Sequence, residues 1–142
     1  MRRVVITGMG IYSCLGTNID AVRDSLYNGV SGIVFDPIRK EMGFRSALTA
    51  KLEVPELKGV LSRSQRVYMP EQAKYAYVAT VEALKNAGID QDYLDTHEVG
   101  LMYGNDSSAE PVYKSIQTML DKKDTTLIGS GGIFQSMNST VT

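Results

Sequence analysis

A single cysteine and a single histidine in 142 residues rule out much chemistry before any motif is read. Cys14 alone cannot form an internal disulfide or a cysteine-rich zinc site, and a free thiol suits a reducing compartment. With His97 the only imidazole, no cluster of nitrogen and sulfur ligands can assemble within the chain, so no metal is expected. Neither sign of charge is in excess: 15 Lys and Arg against 16 Asp and Glu give a net charge of -1, without the basic footprint that nucleic acid requires. Long apolar runs are missing too. None approaches the ~18 residues of a spanning helix, and the β-branched stretch behind Arg2 and Arg3 is too short for a signal-peptide core. The expectation is a cytoplasmic protein that engages neither nucleic acid nor membrane.

What is present is an ordinary globular mixture, 43% apolar and 22% charged, long enough for one domain, or part of one, to bury roughly 70% of its unfolded surface. Residues 4–7, Val-Val-Ile-Thr, form a β-branched run suited to a strand buried on both faces, followed by Gly8, Gly10 and Gly16. Thr17 or Asn18 can cap a helix over residues 19–26 that Asn28 and Gly29 end. Between 31 and 59 no period is sustained, and the stretch is expected to be a long excursion. A strong helix follows from Pro70 to the stop at Asn86-Ala87-Gly88. Its small side chains Ala73, Ala76, Ala83 and Ala87, with Thr80 and Leu84, allow close approach of another element. Residues 99–103 read as a second buried strand ending at Gly104 and the polar turn 105–108. Val112, Ile116, Met119 and Leu120 mark a helix beginning near Pro111. After a short segment at 125–128 and the glycines at 129–132, residues 133–142 open a new element with no terminating signal. Strands alternating with helices indicate an α/β protein.

Gly8 and Gly10 raise the question of a dinucleotide-binding loop. The third glycine of G-x-G-x-x-G is Ser13 here, and no acidic residue ends a second strand about 20 residues on, where Val30-Ser31-Gly32 stand. The fingerprint is therefore broken. Cys14 lies several residues ahead of a helix with no histidine near in sequence, and such a cysteine is more often a small buried hydrophobe than a nucleophile. His97, within Asp95-Thr96-His97-Glu98, is read as a solvated side chain at the entry to a strand. Arg63 and Arg66, with Lys58 nearby, form either a solvated face or a patch that docks an acidic partner. Asp106, Ser107 and Ser108 follow a strand's carboxyl end, where open α/β sheets place ligands.

Several stretches together resemble the β-ketoacyl-acyl-carrier-protein synthases of the thiolase-like superfamily: residues 4–10, Gly16, Ser31-Gly32-Ile33, Asn86-Ala87-Gly88, Val99-Gly100-Leu101 and residues 136–141, Ser-Met-Asn-Ser-Thr-Val. Each is weak alone, but their order and spacing run through the whole chain. The match covers about the first third of such an enzyme.

The resemblance implies the amino-terminal part of a layered α/β/α/β/α thiolase-like fold, incomplete, as one domain over residues 1–142. It implies an acyltransferase of fatty acid or polyketide-type biosynthesis that needs no cofactor, works as a homodimer and takes its substrates on acyl carrier protein. In that family a cysteine receives the acyl group, and two histidines support decarboxylation of malonyl carrier protein to the attacking carbanion. All three match positions beyond Thr142, so no catalytic residue is assigned here and the 142-residue chain is expected to be inactive alone, with exposed strand edges that favour self-association. By the same resemblance Met137, Asp106, Ser107 and Ser108 line the substrate pocket, and Arg63 and Arg66 receive the acidic carrier protein. Two alternatives stand beside this reading: a non-catalytic module that pairs with a full-length synthase, and a dinucleotide-binding domain.

Overall fold

The computed structural model describes residues 3–104 and 109–135. Met137, Asp106, Ser107 and Ser108 lie outside the described residues. The chain divides into two compact units, one formed by residues 1–53 and 78–97, the other by residues 54–77 and 98–142.

The first unit is organised around the second half of a long helix. Helix α1 (Ile19–Tyr27) starts where the sequence places it, with the Asn18 side chain accepting the Ala21 amide. It ends at Asn28, after which Gly29 takes the positive φ of 63° that side chains resist. The stretch expected to be an excursion contains a hairpin. Strands β1 (Ile33–Phe35) and β2 (Leu48–Ala50) pair antiparallel with Val34 opposite Thr49. Between them sits the short helix α2 (Pro37–Glu41), capped by Asp36 with proline in its first turn. Arg39 lies 4.6 Å over the ring of Phe44 and closes the loop. Two three-residue strands show no readable period, which is why the sequence alone does not reveal them.

The long helix is α4 (Glu71–Ala87), whose residues from 78 onward belong to this unit. It stops at Gly88, φ 70°. Residues 8–11 run along it in extended form and in the opposite direction. A Cβ built on Gly10 would lie 1.9 Å from the Ala79 carbonyl oxygen, and one on Gly8 would lie 2.5 Å from that of Ala83. The Met9 amide donates to Asn86 Oδ1 at 3.1 Å and the Ile11 amide to Glu82 Oε2 at 2.8 Å. The register is set by simple geometry. Two residues of extended chain cover about 6.6 Å and four residues of helix about 6 Å, so positions 9 and 11 meet Asn86 and Glu82 one turn apart. The other carboxylate oxygen of Glu82 accepts the Ile19 amide at 2.9 Å, the first of the four amides that α1 leaves without a partner. A negative charge there also suits the positive end of the α1 dipole. Helix α5 (Gln91–Thr96) follows, capped by Asp90.

One expectation is corrected here. Residues 4–7 are not a buried strand: Val4 is 95% and Ile6 85% exposed, and no strand among the described residues pairs with them. A central strand exists only when neighbours on both edges take its amides and carbonyls, whatever its β propensity. Gly8 and Gly10 are glycine because the backbone presses against a helix whose facing positions are alanine.

The second unit contains α3 (Arg63–Val67), the first turns of α4, α6 (Ala109–Lys122), a 3-10 turn (Thr125–Leu127) and α7 (Ser130–Gln135). Ala73 and Ala76 form its buried centre with Met69 packed against them, while Pro70 and Leu57 are also buried. Gly131 approaches the end of α3, where an added Cβ would lie 2.8 Å from Val67 Cγ1. The helix expected near Pro111 begins at Ala109, but its stripe of Val112, Ile116, Met119 and Leu120 stays exposed and the buried residue is Pro111. Residues 99–103 are likewise no strand, with Met102 97% exposed. The cause is the one that applies to residues 4–7, the lack of a paired neighbour among the described residues.

Candidate functional site

The second unit carries the two arginines singled out in the sequence. Ser62 begins α3 with a reciprocal cap: its hydroxyl accepts the Gln65 amide, and the Gln65 side chain accepts the Ser62 amide at 3.0 Å. This holds a short helix that would not persist alone and places Arg63 and Arg66 one turn apart. The Arg66 Nε donates to the Leu61 carbonyl at 3.2 Å. Arg63 is exposed and Arg66 half-buried.

Both arginines line a cavity of about 420 Å³ together with Lys74, Val54, Leu57 and Val67. A second cavity of about 490 Å³ shares Val54, Arg66 and Lys74 and adds Glu71, Glu110 and Lys114. The acids here are already engaged. Lys114 pairs with Glu110 one turn away on α6, and that hydrogen bond holds the Glu110 carboxyl below the usual carboxylate range while raising Lys114. Glu71 accepts the Tyr75 hydroxyl, and Glu56 accepts the Lys58 amide at 2.7 Å. The concavity therefore has a wall of mixed charge beside apolar Val54 and Leu57, with Arg63, Arg66, Lys74 and Lys114 standing among Glu56, Glu71 and Glu110, and the charge of Lys74 also helps to hold the Glu110 carboxyl low. Lys58, grouped with the arginines on sequence, does not line either cavity. Lys74 does, and sequence reasoning missed it because helix α4 restarts after Pro70 and no single period links Lys74 to Arg66.

The first unit has a larger groove, about 940 Å³, bounded by Met9, Ile11, Ile19, Val22, Leu26 and Tyr27. Its one charged wall residue, Arg23, is held by Asp20 at 2.9 Å and Asp24 at 3.2 Å. Such a surface is suited to packing. Cys14 is half-buried in the loop closed by mutual hydrogen bonds of Ser13 and Gly16, and a Cβ on Gly32 would lie 2.6 Å from its sulfur. His97 is exposed and stacks on Tyr93 with ring centres 4.1 Å apart. It follows α5 rather than entering a strand, because Asp90 caps a helix that its short length hid. Among the described residues, no three His, Cys, Asp or Glu side chains are grouped to hold a metal ion.

With this geometry in view, comparison with known proteins is decisive. The family model described as the beta-ketoacyl synthase N-terminal domain matches residues 1–142. The chain belongs to the beta-ketoacyl synthase family. Within that family, a 3-oxoacyl-[acyl-carrier-protein] synthase 1 of Buchnera aphidicola (subspecies Acyrthosiphon pisum) is 41% identical over 109 residues, covering 76% of this chain and 27% of the relative. The enzyme of the same name from Haemophilus influenzae is 35% identical over 144 residues, covering 99% of this chain and 35% of the relative. A crystal structure of a beta-ketoacyl synthase from Burkholderia phymatum superposes with a TM-score of 0.79 at 30% identity, again over 99% of this chain and 35% of that one. The thiolase-like fold class is thereby established, and the chain spans about a third, or less, of the length of these relatives.

Proposed function

We propose that this chain is the amino-terminal part of a 3-oxoacyl carrier-protein synthase, a single domain over residues 1–142 that contributes scaffold and carrier-protein docking to a decarboxylative condensation of acyl and malonyl thioesters. The observation that carries this reading is the family match over every residue from 1 to 142, supported by relatives whose names state the same activity. On this reading the enzyme is a cytoplasmic homodimer, and the many exposed apolar side chains of both units are surfaces for further protein. Met137, Asp106, Ser107 and Ser108 then border the acyl pocket, as the resemblance implies. Among the described residues no helix is long and apolar enough to cross a membrane.

The chemistry needs a nucleophilic thiolate and two imidazoles. This chain has one cysteine and one histidine, with Cys14 in a closed loop and His97 stacked on a tyrosine. The 142-residue polypeptide is expected to yield no 3-oxoacyl product from acyl and malonyl carrier proteins. The protein expressed from its native gene is expected to yield it, with an intact mass well above 15.6 kDa. Turnover by the purified 142-residue chain would overturn the assignment of catalysis to residues beyond it. A native product that is no larger and inactive would favour the pairing module instead.

Arg63 and Arg66 are the docking residues on this reading. Charge reversal of both to glutamate is expected to weaken carrier-protein binding by about tenfold to a hundredfold, chiefly through slower association. Salt should erase most of the difference, since exposed charges are screened over about 8–10 Å at physiological ionic strength. An unchanged association rate at low salt would remove the two arginines from the interface.

A further inference from the structure

We propose that Asn28 is a modification site: the Asn28-Gly29 bond deamidates when the last turn of α1 opens, and the cap at that end holds the reaction back while it is closed. The site lies in the first unit and is independent of the carrier-protein reading. Asn28-Gly29 is the one Asn-Gly pair in the sequence. The reaction needs no enzyme. The Gly29 nitrogen gives its proton to solvent base and bonds to the side-chain carbonyl carbon of Asn28, the carbon–nitrogen bond to Nδ2 breaks, and ammonia departs to leave a cyclic imide. Water then opens the imide at either carbonyl, giving aspartate or isoaspartate at position 28. Glycine on the carboxyl side favours the first step because no side chain crowds the attacking nitrogen, and a Cβ built on Gly29 meets nothing within 4 Å.

The closed cap opposes that attack. The Gly29 amide donates to the Leu26 carbonyl at 3.2 Å and the Val30 amide to the Ser25 carbonyl at 2.9 Å, the pair of bonds that ends a helix on a left-handed residue, here Gly29 with φ 63°. Asn28 Nδ2 donates to the Asp24 carbonyl at 2.8 Å. Nucleophile and leaving group are thus both held, by different carbonyls. What holds them is local. The buried residue of α1 is Val22, more than a turn earlier, while Leu26, Tyr27 and Val30 are exposed, so the last turn opens without disturbing a core. The other two described asparagines lack this arrangement: Asn18 precedes β-branched Ile19 and its side chain caps α1, and Asn86 lies within α4 with its side chain accepting the Met9 amide.

Once made, the change is one-way. Aspartate at 28 loses the Nδ2 donor, puts negative charge at the negative end of the α1 dipole and stands four residues from Asp24, a spacing at which like charges repel. Isoaspartate also lengthens the main chain by a methylene and shifts the Gly29 and Val30 amides off their carbonyls. Because Leu26 and Tyr27 bound the apolar groove of the first unit, its wall loosens with the cap.

The test uses the protein expressed from its native gene, incubated at mildly alkaline pH with and without denaturing urea. Digestion in acid and mass spectrometry after liquid chromatography then read asparagine, aspartate and isoaspartate at positions 18, 28 and 86. Both products are expected at position 28 in the folded protein, at a rate about tenfold to a hundredfold below that in urea and in step with hydrogen exchange at the Gly29 amide. Asn28→Asp, which supplies one product directly, is expected to speed exchange at Gly29 and Val30 about tenfold. Folded protein that stays unmodified at 28 while the urea sample converts would show a site silent in the native state and overturn the proposal. Equal rates with and without urea would remove the guarding role of the cap. Conversion at 18 or 86 as fast as at 28 in folded protein would overturn the choice of Asn28, and unchanged exchange in Asn28→Asp would overturn the one-way loosening.

Discussion

Gly10→Ala is expected to lower the stability of the protein by about 3 kcal/mol, at the upper end of what overpacking of a filled interior costs. The added methyl would lie 1.9 Å from the Ala79 carbonyl oxygen and 2.7 Å from the Ala83 amide nitrogen. Both obstacles are helix backbone. No rotamer change can relieve the clash, so residues 8–11 must move off α4. Moving them also breaks the bonds from the Met9 and Ile11 amides to Asn86 and Glu82. Urea denaturation followed by circular dichroism measures the loss as a lower midpoint. Gly100→Ala is the control, because a Cβ there meets nothing within 4 Å and the change should stay within about 0.5 kcal/mol. Equal midpoints for the two variants would show that Gly10 does not lie against the helix.

Glu82→Ala is expected to cost about 1.5–3 kcal/mol, the range for losing hydrogen bonds to a charged group. One carboxylate joins three pieces of chain: its own helix, the extended segment through Ile11, and the start of α1 through Ile19. Both amides are left partnerless when it goes, and the α1 N-terminus loses a favourable charge. Glu82→Gln keeps a single acceptor oxygen and should fall between alanine and wild type. Amide hydrogen exchange gives the specific signature, faster exchange at Ile11 and Ile19 with less change in the second half of α4. If both amides keep their protection in Glu82→Ala, the carboxylate is not the fastener.

The three longer helices, α1, α4 and α6, were legible because their signals are local. Asn18, Asn28 and Gly29 bracket α1 as the sequence suggests, and Pro70 with Gly88 brackets α4 to within a residue. The small face of α4 was legible as a surface for close approach, though not the element that approaches it. Arg63 and Arg66 could be singled out because two arginines stand three residues apart just ahead of the long helix, but their cavity could not be foreseen, since Val54, Leu57 and Lys74 come from outside α3. The two strands read from β-branched runs failed for a physical reason. Propensity describes how a residue suits a sheet, and neither residues 4–7 nor 99–103 have a paired neighbour among the described residues.

By itself, the sequence determined the family, the three longer helices and the poverty of nucleophile, imidazole and metal ligand. Each follows from residue identity, short-range spacing, or motif order along the chain. Tertiary structure alone decided why Gly8 and Gly10 must lack side chains, what Glu82 holds and where Lys74 stands. The bonds that fix Met9, Ile11 and Ile19 to α4 join residues 77, 71 and 63 positions apart. Contacts of that separation leave no period in a sequence, because they depend on which surfaces meet after the helices have formed.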